Sequence, residues 1–106
     1  RLELDGQRRE RVLVLICDAS NRLRQTAVVS DGSIDHAIFP VREIMNAVLR
    51  HDGKAFAVAH NHPSGSVEPS SSDVRITGRV RAAADTVGLR FLGHVILGRG
   101  TWCPVG

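Results

Sequence analysis

Apolar positions recur along the chain with two different periods. Residues 10–18, Glu-Arg-Val-Leu-Val-Leu-Ile-Cys-Asp, form a continuous apolar run of strand length, the pattern of a buried β-strand. Asp18-Ala-Ser-Asn21 reads as a turn, and Arg22–Ser30 alternates polar and β-branched residues as the second strand of a hairpin does. Asp31-Gly32 is expected to break that strand. Pro40 suits the first position of a helix. Val41, Ile44, Met45, Val48 and Leu49 then recur at helical spacing, and His51-Asp52-Gly53 closes the helix with Gly53 as its left-handed cap. Ala55–Asn61 is a short apolar strand running into His60-Asn61-His62, and Pro63–Pro69 is a loop by composition. A second helix is expected from Ser70 to Val87, with Val74, Val80, Ala83, Ala84 and Val87 inside and Gly88 as its stop. Leu89–Leu97 is another strand, Gly98-Arg99-Gly100 a turn, and Thr101–Val105 a last short strand. The order β-β-(β)-α-β-α-β-β describes an α/β domain, a mixed β-sheet flanked by helices.

Composition narrows the class without naming a function. With 106 residues the chain is one domain, and 42% hydrophobic with 24% charged residues is ordinary for a globular protein. The first residue is Arg, so the chain reads as an excised domain. Its longest apolar run, Val12–Cys17, is far short of the ~20 residues that span a bilayer, and no signal peptide is visible; no membrane contact and a cytoplasmic setting are expected. The net charge of +3 comes from Lys and Arg scattered along the chain, and aromatic residues make up only 4%; an Arg-rich solvated surface explains this better than a nucleic-acid interface. Cys17 and Cys103 lie far apart in apolar strands and read as reduced core thiols, not as half of a zinc ribbon.

Candidate chemistry begins at His60-Asn61-His62. Residues two apart on a strand share a face, and two imidazoles side by side are poor core filler but good metal ligands. A catalytic zinc site needs three protein ligands and an open position for water. Asp73 is the best-placed third ligand: the loop brings the chain back, and a carboxylate is favoured in the first turn of a helix. Each feature has a plain structural reading of its own, since His-x-His is common and Ser70-x-x-Asp73 has the spacing of a capping box. The joint pattern, His-x-His-Pro, six residues, Ser, two residues, Asp, is far more specific. For a general base the residues alone leave three candidates, Glu10, Glu43 and Glu68.

This spacing resembles the JAMM motif of the MPN metallopeptidase superfamily at every fixed position. His60-Asn-His-Pro-Ser-Gly65 with Pro69, Ser70 and Asp73 is most similar to the RadC branch. Further similar stretches are Arg9-Glu10, Gly32-Ser-Ile-Asp35, Arg42-Glu43 and Leu92-x-His94-x-x-x-Gly98. The resemblance implies a cytidine-deaminase-like three-layer α-β-α fold for residues 1–106, as the C-terminal part of a longer RadC-like protein. It implies zinc held by His60, His62 and Asp73, Glu10 as general base, and Ser70 steadying the water or the developing oxyanion. The implied reaction is hydrolysis of an amide or isopeptide bond in a protein or peptide substrate. The branch also carries a link to DNA repair, with DNA association through a region preceding the domain. Two departures stand out. Gly93 precedes His94 where RadC-like chains usually carry Asp, and the Pro opening the first helix is shifted by one, to Pro40. His94 is expected to support the ligands or the structure, and His36 and His51 to lie at the surface or in loops.

Rival classes fit less well. The letters His-Asn-His invite a nuclease, but that class spreads its named residues over a ββα unit. A zinc deaminase needs His-x-Glu and Pro-Cys-x-x-Cys, and neither cysteine belongs to such a pair. MPN domains that serve as metal-free scaffolds have lost the ligands, whereas all of them stand here. A zinc-binding module acting through protein or DNA partners is the alternative reading.

Overall fold

The computed structural model describes residues 9–32 and 39–106. Its elements, in chain order, are β1 (Glu10–Cys17), β2 (Leu23–Gly32), α1 (Val41–Arg50), β3 (Ala55–Asn61), α2 (Ser71–Val87), β4 (Arg90–Gly98) and β5 (Thr101–Pro104). The strands form one sheet in the order β2-β1-β3-β4-β5. β1 runs antiparallel to both β2 and β3, β3 and β4 are parallel, and β5 returns antiparallel to β4. The expected α/β domain with a mixed sheet is therefore found.

Chain direction then places the helices. β2, β3 and β4 point the same way, and the β2-α1-β3 and β3-α2-β4 crossovers both step the same way along the sheet. Right-handed crossovers, applied twice, put both helices on one face. Accordingly α1 and α2 touch each other and share a core with Val12, Val14 and Ile16 of β1 and Phe56 and Val58 of β3. On the other face Leu13 and Leu15 are half-buried and Val28 and Trp102 exposed. Among the described residues no helix covers that face, so the third layer implied by the resemblance is not found among them.

Several local expectations need correction. Asp31-Gly32 does not break β2: Asp31 pairs with Arg11 and Gly32 with Glu10. The charge pairing explains the extension, because Asp31 Oδ1 lies 3.1 Å from Arg9 Nε and Oδ2 lies 3.6 Å from Arg11 Nε. Residues 33–38, between β2 and Pro40 where the bracketed third strand is expected, are outside the described residues, and His36 is among them. Pro40 is the N-cap of α1 and not its first residue. Leu49 is 51% exposed, because the buried stripe is Ile44, Met45, Ala47 and Val48, and one residue further turns the helix by ~100°. In α2 the inward residues are Asp73, Ile76, Thr77, Val80 and Ala84, while Val74 and Val87 are exposed. Asp73 must face inward, and that sets the phase that turns Val74 out. Cys103 is half-exposed on β5, so only Cys17 is a core thiol; both are free.

The end of α1 is also closed differently. Asp52, with φ 55°, is the left-handed residue. Asp52 N–H donates to Leu49 O and Gly53 N–H to Val48 O, the paired bonds of a Schellman motif. Gly53 is needed for space: a Cβ there would lie 2.5 Å from Ile16 Cγ2 and 2.9 Å from Val48 Cγ1. Gly53→Ala should therefore destabilise the domain by about 1–3 kcal/mol, as overpacking does, which urea denaturation would measure.

Candidate metal centre

The end of β3 and the start of α2 build the site. In β3, His60 faces the helices with Phe56 and Val58, and it is 1% exposed. Ser70 caps α2: its Oγ accepts from Asp73 N–H at 3.0 Å, and Ser70 N–H donates to Asp73 Oδ2 at 2.8 Å. The capping box and the ligand reading are thus one arrangement, since the box aims the Asp73 carboxylate at the histidines. Asp73 Oδ1 stands 3.3 Å from His60 Nε2, and Oδ2 stands 3.0 Å from His62 Nε2. One ligand atom from each of the three residues lies within 4.8 Å of the others.

This donor set fits a metal ion. Ligands of a tetrahedral zinc with bonds of about 2.1 Å are separated by roughly 3.4 Å, close to the spacings of the carboxylate to each imidazole. Two imidazoles and a carboxylate also suit zinc chemically. Asp73 is fully buried. Burial opposes its ionisation, but the Ser70 N–H and hydroxyl and the two imidazoles outweigh it, and its pKa falls below the usual 3.8. The anion is therefore the stable form at neutral pH.

The other sequence candidates are placed as follows. Glu10 opens β1 and is 6% exposed. Val12 pairs with His60 across the antiparallel β1–β3 ladder, and Glu10, two residues before Val12, lies buried on the same face of the sheet. Glu43 is exposed in the first turn of α1, beside a separate cavity with Arg42 and Asn46. Glu68 is exposed in the loop, where its N–H donates to Ser66 Oγ. His51 closes α1 through Nδ1 to Ala47 O at 2.8 Å.

His94 proves to be part of the centre's support. It is 2% exposed, with Nε2 2.7 Å from His60 Nδ1 and Nδ1 2.8 Å from Thr77 Oγ1. Burial foremost, with the neighbouring His60, lowers its pKa from 6.5 to about 4, so it is neutral at pH 7. Gly93 makes this contact possible. β4 carries a bulge where Phe56 pairs with Phe91 but Ala57 with Gly93, and Gly93 has φ 145°. That extra residue turns His94 inward, where strict alternation from Phe91 would turn it out.

Three contributors escaped the sequence reading. Thr77 is one helical turn after Asp73, a spacing visible in the sequence. Asn61 sits between the ligand histidines, where its side chain accepts from Arg11 N–H and donates to Arg9 O, both at 2.8 Å. It thereby holds the backbone on either side of Glu10. Phe39, 3% exposed, sets its ring 6.2 Å from both His60 and His94. On the outer side a cavity of about 280 Å³ opens beside His62, between Gly65 of the loop and Gly98 and Arg99 of the β4–β5 turn.

The sequence also matches a known family and its members. A family model described as a RadC-like JAB domain matches residues 1–105. A UPF0758 protein of Geotalea uraniireducens is 37% identical over 100 residues, covering 94% of this chain and 44% of the relative. One from Geobacter sulfurreducens is 39% identical over 94 residues, covering 89% of this chain and 41% of its own. One from Trichormus variabilis is 41% identical over 98 residues, covering 92% and 40%. The chain thus spans less than half the length of these relatives.

Proposed function

The chain belongs to the RadC-like JAB domain family, and from that premise we propose that it is a zinc-dependent hydrolase of amide or isopeptide bonds. The observation that carries this reading is the convergence of His60, His62 and Asp73, two imidazoles and one ionised carboxylate at ligand spacing. Zinc bound there would lower the pKa of a coordinated water to about 7 and polarise a substrate carbonyl.

The chain's own groups supply the rest. Glu10, buried on the sheet face that carries His60, takes the proton from the attacking water and passes it to the leaving nitrogen. Ser70 Oγ accepts from Asp73 N–H, and its hydroxyl hydrogen, which supports the Asp73 carboxylate in the metal-free chain, would turn to the water or the developing oxyanion once a metal holds that carboxylate. Ser70 is exposed, as a group that meets substrate has to be. The cavity beside His62 is the approach for a peptide or a protein tail, with Arg99 at its rim. A cytoplasmic setting belongs to the same reading: both cysteines are free, and among the described residues no helix is long and apolar enough to cross a membrane.

Metal analysis of the purified chain should find about one zinc per molecule. Peptide and isopeptide substrates should be cleaved by the zinc-loaded protein and spared after chelation. A chain with no zinc affinity sinks the proposal. Zinc without hydrolysis, together with salt-sensitive DNA binding, would favour the DNA-associated module instead.

A further inference from the structure

Behind the ligands lies a buried chain of hydrogen bonds through Thr77, His94 and His60. Thr77 Oγ1 is 2.8 Å from Asp73 O and 2.8 Å from His94 Nδ1. His94 Nε2 is 2.7 Å from His60 Nδ1, and His60 Nε2 faces Asp73 Oδ1 at 3.3 Å. The hydrogen bonds run from the Asp73 carbonyl through Thr77 and His94 to His60, whose other nitrogen faces the Asp73 carboxylate.

Its direction follows from what each atom can do. A backbone carbonyl only accepts, so the single Thr77 hydrogen goes to Asp73 O. Thr77 Oγ1 must then accept from His94, which places a proton on His94 Nδ1. A neutral imidazole carries one proton, so His94 Nε2 offers a lone pair and His60 Nδ1 donates to it. His60 thus keeps a proton on Nδ1, and Nε2, the atom aimed at Asp73, is the nitrogen that can take a metal. We propose that Thr77 and His94 are positioning residues that lock His60 as the Nδ1–H tautomer, so that Nε2 is held ready as a metal ligand. His94 thereby does for His60 what a carboxylate or carbonyl does behind many metal-bound histidines.

The inference adds to the metal reading and rests on His60 being a ligand, but its first test needs no metal. Long-range nitrogen–proton NMR of the zinc-free chain at neutral pH reads the protonated nitrogen of each ring. His60 and His94 should both carry a proton on Nδ1; a His60 Nδ1 without a proton overturns the inference. The second test is zinc affinity by chelator competition. Thr77→Val keeps the shape but removes the hydroxyl, so the His94 and His60 tautomers lose their lock. Affinity should fall about 10–100-fold, the usual effect of losing an outer partner of a ligand. Thr77→Ser should restore both affinity and tautomer. A Thr77→Val chain that binds zinc as tightly as the parent, with the same ring signals, overturns the inference while leaving the enzyme proposal intact. Failure of the parent to bind zinc at all, with both rings in the Nδ1–H form, would overturn the enzyme proposal and leave the tautomer lock standing.

Discussion

Asp73→Asn should leave a folded domain that no longer holds zinc tightly, whereas Asp73→Ala should lose both the metal and part of its stability. The two outcomes separate because one carboxylate has two duties. Its Oδ2 accepts from Ser70 N–H at 2.8 Å and closes the cap of α2, while both oxygens face the imidazoles at 3.0 and 3.3 Å. Asn keeps an oxygen for the Ser70 N–H but has no charge to offer a cation. Losing an outer partner already lowers metal affinity about 10–100-fold, so losing a charged ligand should exceed ~100-fold. Ala removes the cap bond as well, which costs about 1 kcal/mol. Chelator competition measures the first effect, and urea denaturation of the metal-free chain measures the second. Parent-like zinc affinity in Asp73→Asn would remove Asp73 from the ligand set. Equal metal-free stability of the Ala and Asn variants would mean that the cap bond contributes nothing.

Glu10→Gln should bind zinc like the parent and lose about 10²–10⁴-fold in turnover, the usual contribution of a general base. Gln has the size of Glu and cannot take a proton. The buried position of Glu10 on the His60 face of the sheet supports this assignment over Glu43 and Glu68, which are both exposed. Glu43→Gln and Glu68→Gln should keep most activity on whichever amide substrate the zinc-loaded parent cleaves. If Glu68→Gln is inactive and Glu10→Gln is not, the role passes to the loop. Asn61→Ala offers an intermediate case. It removes both bonds that hold the backbone around Glu10, and turnover should fall while zinc affinity does not.

Much of this was legible in the chain because it is local. The strands and helices follow from apolar runs and helical spacing. His60 and His62 share a strand face, and Ser70 and Asp73 lie within one helical turn, so fourteen residues contain the whole ligand set. The family spacing adds Glu10 at the start of β1. Phase errors arose where a polar residue faces inward: a hydrophobic count over α2 favours Val74 as a core residue, yet Asp73 takes the inward position and Val74 turns out. Gly53 was read for its backbone freedom, but its role is the space it leaves for Ile16 and Val48.

Determined by the sequence alone, then, are the types of ligand, their order and the capping box that aims one of them. All depend on contacts a few residues apart, which strand and helix periods specify. The tertiary structure decided what stands behind those ligands. His94 is 34 residues from His60 and meets it only because β4 pairs in parallel with β3 in one register, with a bulge at Gly93 to turn the imidazole inward. Thr77 reaches His94 only because α2 lies across the same face of the sheet. Such contacts depend on register and bulge geometry, in which a shift of one residue reverses every side chain, and no local period in the chain encodes that choice.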